Sequence, residues 1–164
     1  MRRYAILALA VGLLAGADVR GVADRPAKNK KKVDPVKQEM KRLQGTWQLV
    51  AMTTDGTPSQ AAQLQGCTMT FGANNTWAFR GFGTGVQGGT FKVDPTKRPK
   101  TADFVITQGP FKGKTCPEIY QLTGDTLTFC YPHPGRIGAR PAKFASTAGS
   151  WHILAVYQRV KPKK

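Results

Sequence analysis

Between residues 46 and 160 apolar and polar positions alternate in short runs, and clusters of turn residues separate the runs. A period of two marks half-buried β-strands. The pattern predicts eight strands, at 46–53, 67–71, 76–82, 88–93, 102–107, 115–122, 126–131 and 151–160, with a short extra one around 143–144 left open. Asp55-Gly56, Asn74-Asn75, Gly83 to Gly85, Asp94-Pro95, Gly109-Pro110 and Gly124-Asp125 supply turn chemistry between them. Closely spaced strands with short turns imply an antiparallel sandwich or barrel, not a parallel sheet. Two helical signals interrupt the pattern. Asp34 caps and Pro35 opens a short helix whose apolar stripe is Val36, Met40 and Leu43, ended by Gly45. Residues 58–64 carry a second, shorter signal.

Side-chain parity refines this picture. If Gly124-Asp125 is a two-residue turn, Leu122 opposes Leu127 and Tyr120 opposes Phe129, so the apolar sets meet on one face. The same register places Ile119 opposite Cys130 on the other face. Cys116 shares the Tyr120 face, and Cys67 shares parity with Met69 and Phe71. A Cys67–Cys116 disulfide is therefore the favoured pairing, with three separate small apolar residues as the alternative. The interior candidates are Trp47, Phe71, Trp77, Phe79, Phe91, Tyr120 and Phe129. They serve either as plain core or, from Phe71 onward, as the lining of a pocket for a flat or greasy molecule.

The chain has 164 residues and a formal charge of +16, enough length for one domain. Much of the excess charge lies at the ends. Residues 44–160 hold eleven Lys/Arg against five Asp/Glu, and the last four residues add three Lys. Arg2-Arg3, the apolar run from Tyr4 to Leu14 and Ala15-Gly16-Ala17 match a signal peptide over 1–17, with a second cut possible after Ala23. The apolar run is shorter than the ~20 residues a membrane span needs. The segment 18–32 reads as a basic disordered linker and 161–164 as a basic tail, flanking a folded part at 33–160. The expected compartment is therefore periplasmic, envelope or extracellular. Basic arms of this kind attract anionic surfaces weakly, and export argues against a specific nucleic-acid partner.

Catalytic chemistry has little to stand on. His133 and His152 lack a metal-ligand spacing with Cys or another His. Asp55, Asp94 and Asp125 sit in turns, where backbone capping explains them. Glu118 alone lies mid-strand, and turned inward it needs a partner such as Arg80 or Lys114. Gly81, Gly83, Gly85, Gly88 and Gly89 suit a loop at an open mouth and not a phosphate loop, since no Lys-Ser/Thr follows. No enzyme activity, cofactor or metal is expected.

Several linked stretches are similar to a family of small exported proteins abundant in planctomycetes. They are Leu43 to Val50, Asp55-Gly56, Asp94 to Phe104, Gly113-Lys114-Thr115, Ile119 to Leu122, Gly124 to Tyr131 and Arg140-Pro141 to Phe144. The resemblance implies a lipocalin-like fold: all-β, an eight-stranded antiparallel up-and-down barrel with a short N-terminal helix. It also implies that Trp47 of the Gly-x-Trp run packs at the closed end, with Arg159 of the last strand over its indole. The expectation is a monomeric exported protein enclosing a small apolar or amphipathic molecule. An envelope-associated module that uses its basic arms on anionic wall, lipid or polysaccharide, with no internal ligand, is the competing reading.

Overall fold

The computed structural model describes residues 33–161 apart from Thr84. The signal peptide, the linker and most of the basic tail expected from the sequence lie outside the described residues.

The chain forms a closed antiparallel barrel. Helix α1 (Pro35–Leu43) leads into β1 (Gly45–Thr54), followed by β2 (Thr57–Pro58) and the one-turn helix α2 (Ala61–Leu64). Then come β3 (Thr68–Phe71), β4 (Thr76–Arg80), β5 (Val86–Asp94), β6 (Lys100–Gln108), β7 (Thr115–Thr123), β8 (Thr126–Pro132) and β9 (His152–Arg159). Neighbours in sequence are neighbours in the wall from β3 to β9, and β1 pairs with both β3 and β9. The wall thus has eight strands, with β2 a short flap on the far end of β1. No strand forms at 143–144. The 134–151 segment instead crosses the outside of the wall, and Arg140 ties it to the carbonyl of Ala102 at 2.7 Å and to the Asp103 carboxylate.

The hairpin register follows the parity reading. Leu122 pairs with Leu127, Tyr120 with Phe129 and Ile119 with Cys130 across β7 and β8. Gly124 takes a φ of +56°, which a two-residue hairpin turn demands and glycine reaches without strain. A bulge between Leu49 and Ala51 shifts β1 against β9, so Met52 and Thr54 face the interior like Trp47 and Leu49 before them. A second bulge falls at Gly88/Gly89, where a Cβ on Gly89 would stand 1.9 Å from the Val105 carbonyl oxygen. Only glycine lets β5 and β6 approach this closely.

Helix α1 is capped as expected, with the Asp34 carboxylate accepting from the Val36 N–H at 2.9 Å. Its buried face differs from the expected stripe. Val36 is exposed, whereas Glu39 and Leu43, one turn apart, are buried. Glu39 tolerates this because Lys100 on β6 meets it at 2.5 Å and Arg42 at 3.0 Å.

Candidate functional site

The barrel has two ends. The closed end carries α1, the tight β3–β4 and β7–β8 turns and the β5–β6 connection. The open end carries loops 81–85, 109–114 and 133–151. What fills the space between them differs from end to end.

At the closed end Trp47 is fully buried, and its indole Nε1 donates to the Leu43 carbonyl at 2.8 Å. Arg159 lies over the ring, with Cζ 4.0 Å from its centroid. The same guanidinium donates to the Gln44 carbonyl at 2.8 Å and to that of Arg42, and Nε faces Asp125 at 3.4 Å. One side chain thus closes the last turn of α1, satisfying carbonyls that a helix end leaves unpaired. Above this floor Phe71, Phe91, Phe104 and Phe129 pack ring against ring, with centroids 4.9 Å apart for Phe71 and Phe91 and 5.5 Å for Phe104 and Phe129. Tyr120 joins Phe129 at 6.0 Å. Its buried hydroxyl finds no hydrogen-bond partner among the described residues, and burial together with the nearby Glu39 carboxylate raises its pKa.

Toward the open end the interior is not filled. A cavity of about 520 Å³ runs from the upper faces of Phe104 and Phe129 to the loops at the mouth. Leu49, Met69, Trp77, Ile106 and Ile153 form its apolar walls, and Phe82, Phe111, His133 and Pro134 surround its entrance. Gly81 to Gly85 do form a mouth loop, whereas Gly88 and Gly89 belong to β5. Its volume falls in the ~300–1,000 Å³ range of small-molecule pockets.

The six aromatic side chains expected to line a pocket divide between the two halves. Trp77, Phe79 and Phe129 line the cavity. Phe71, Phe91 and Tyr120 do not, because they lie nearer the floor, where Phe71 packs on Phe91 and Tyr120 on Phe129. Parity placed all six inside but carries no information about depth. Tyr131 and Tyr157, missed at that stage, also line the cavity. The alternation Phe129-x-Tyr131 and Ala155-x-Tyr157 was the available signal for both.

Glu118, Tyr131 and Tyr157 bring polar groups to the cavity from β7, β8 and β9, and Thr54 on β1 and Gln87 on β5 add others. Glu118 faces inward, 7% exposed, and burial raises its carboxyl pKa well above the ordinary range. Neither Arg80 nor Lys114 is its partner. Arg80 is exposed on β4, and Lys114 donates instead to the Pro134 carbonyl at 3.0 Å. Arg140 supplies the opposing positive influence from outside the wall, where Asp103 and the carbonyls of Ala102 and Glu118 hold it. Tyr157 and Tyr131 have their phenols raised by burial, with Glu118 adding to the effect.

The Cys67–Cys116 bridge is not formed, and all three cysteines are free and buried. Cys67 lies just before β3 and Cys116 on β7, with β4, β5 and β6 between those strands in the wall. Each thiol donates to a carbonyl instead: Cys67 to Gln63 at 3.6 Å, Cys116 to Pro132 at 3.4 Å and Cys130 to Ala145 at 3.4 Å. Cys130 points outward, as its register required, under the crossing segment. His133 turns its Nδ1 to the Gly135 N–H at 3.0 Å, a local turn contact. Among the described residues no group of three or more His, Cys, Asp or Glu could hold a metal.

No family model matches this chain, and no curated protein or solved structure matches it either.

Proposed function

We propose that this protein binds a small apolar or amphipathic molecule, held without covalent bonds in the cavity at the open end of the barrel. The observation that carries this reading is the cavity itself, about 520 Å³ bounded mainly by apolar side chains above a floor that is packed solid. An eight-stranded barrel has room for one small ligand or for its own side chains. Here the closed half takes the second course and the open half the first. Affinity comes from removing the ligand's apolar surface from water, at about 25 cal/mol per Å². The Gly-x-Trp start and the terminal-strand arginine support a lipocalin-like relationship. The basic n-region and apolar run at residues 2–14 support export before folding and binding.

The test is native mass spectrometry of the protein isolated from the periplasm of an expressing cell, alongside titration with the neutral dye nile red. A co-purified small molecule, or dye fluorescence that Phe129→Ala or Ile106→Trp alters, supports the reading. Absence of any ligand or dye uptake defeats it. Strong heparin retention that vanishes on removing residues 18–32 and 161–164 would then favour the envelope-associated module.

A further inference from the structure

Glu118 stands between Cys116 and Tyr120 on the inward face of β7, and it lines the cavity whereas Tyr120 below it does not. It is therefore the deepest β7 side chain that a bound molecule meets. Its carboxyl forms no ion pair among the described residues. No Lys or Arg lines the cavity, and Arg140, the cation that acts on Glu118, is held on the outer face by Asp103. The side-chain neighbour is the Cys116 thiol, a weak donor that also serves the Pro132 carbonyl. Burying an acidic group with so little compensation is costly, and a ligand bringing its own cation removes that cost. Aromatic faces from Trp77, Phe104 and Phe129 bound the same space, and ring faces attract cations. The Tyr131 and Tyr157 hydroxyls, neighbours of one another on this wall, offer further oxygen acceptors.

Resting on the reading of the cavity as a ligand site, we infer that its ligand is an amine, one basic nitrogen on an apolar body, and that Glu118 is the residue that selects it. A fatty-acid anion meets the opposite situation. Its carboxylate takes at most a hydrogen bond from the Glu118 carboxyl, with no cation in the cavity to neutralise it. An alcohol of equal length makes neutral hydrogen bonds to the same wall and falls between the two. At neutral pH the amine arrives as an ammonium ion. Burial favours the protonated carboxyl of Glu118 in the empty cavity, and an ammonium ion beside it favours the carboxylate, so binding draws a proton from Glu118 toward water. The other titratable groups on this wall are Cys116, Tyr131 and Tyr157, each held neutral by burial, and His133 sits at the mouth.

The experiment displaces nile red from the full mature chain with dodecylamine, dodecanol and dodecanoate, for wild type, Glu118→Gln and Glu118→Leu. Dodecylamine is expected to bind about tenfold or more tighter than dodecanoate, because its ammonium can form an ion pair with Glu118 whereas the carboxylate of dodecanoate meets no cation in the cavity. Glu118→Gln and Glu118→Leu should both abolish that preference, read as the ratio of amine to anion affinity within each variant. Calorimetry in two buffers of different ionisation enthalpy should show proton release on amine binding to the wild-type chain that Glu118→Gln removes, through linkage to Glu118. If dodecanoate binds as tightly as dodecylamine, or the preference survives Glu118→Gln, the amine assignment is wrong while the ligand-site reading stands. If nile red and all three chains fail to bind the wild type, both readings fall together.

Discussion

The two ends of the barrel are built from the same strands and use their interiors in opposite ways. At the floor, Trp47, Arg159 and the last turn of α1 interlock through hydrogen bonds to the carbonyls of Arg42, Leu43 and Gln44. Near the mouth the same strands present Leu49, Ile106, Glu118 and Tyr157 to empty space. The contrast teaches that dense packing and open volume occupy separate halves of one sheet. At the floor the rings of Phe71 and Phe91 meet and close the volume, while above it Trp77, Phe79 and Tyr157 border the space without filling it. The lone carboxyl is tolerated because it sits in the half that packing does not need to fill.

Substitutions at the two ends test that division. The largest effect is expected at the floor, where Trp47→Ala removes a fully buried indole and should cost about 3–5 kcal/mol in urea unfolding. A comparable loss from Phe82→Ala at the mouth would break the comparison. Arg159→Ala comes next, at about 2 kcal/mol, since it uncovers two helix-end carbonyls and removes the contact over the indole. Arg159→Lys should recover little of it, because an ammonium cannot fork between two carbonyls while lying flat on a ring.

Glu118→Gln should act through pH. The folded carboxyl holds its proton well above 4.5, the pKa it has when unfolded. Below that value both states are protonated and burial carries no ionisation penalty. As pH rises from there toward the folded pKa, the unfolded chain loses its proton first, and stability declines. Glutamine does not titrate, so the variant's melting temperature should match or trail wild type near pH 4 and gain on it steadily toward pH 8. The environment setting this slope comprises Cys116, Asp103 and Arg140, none of which the substitution removes. A constant offset across that range would show that Glu118 is ionised in the fold. The smallest stability effect belongs to Phe82→Ala, within about 0.5 kcal/mol, because the ring is 46% exposed. Its signature should be several-fold faster release of a bound dye in stopped-flow, since the ring stands at the entrance.

The β7–β8 hairpin shows how far local pattern reaches. Gly124-Asp125 and the alternation on either side set the register residue by residue, because turn geometry and a period of two act between near neighbours. Helix α1 shows where pattern misleads. Val36 fitted an apolar stripe, yet Glu39 is the buried residue because Lys100, distant in sequence, waits beside it. The cysteines repeat the lesson: shared parity put Cys67 and Cys116 in one interior, but not on adjoining strands.

What the sequence by itself determined is the β alternation, the turns and the register of the β7–β8 hairpin. These follow from backbone geometry over a few residues. Only the tertiary structure decided that Phe71, Phe91 and Tyr120 fill the floor while Trp77, Phe79 and Phe129 border a void, and that Glu118 faces it without a cation. Interior volume is set jointly by side chains from eight strands, and closure brings them to one depth according to register and bulges. No single stretch of chain contains that sum.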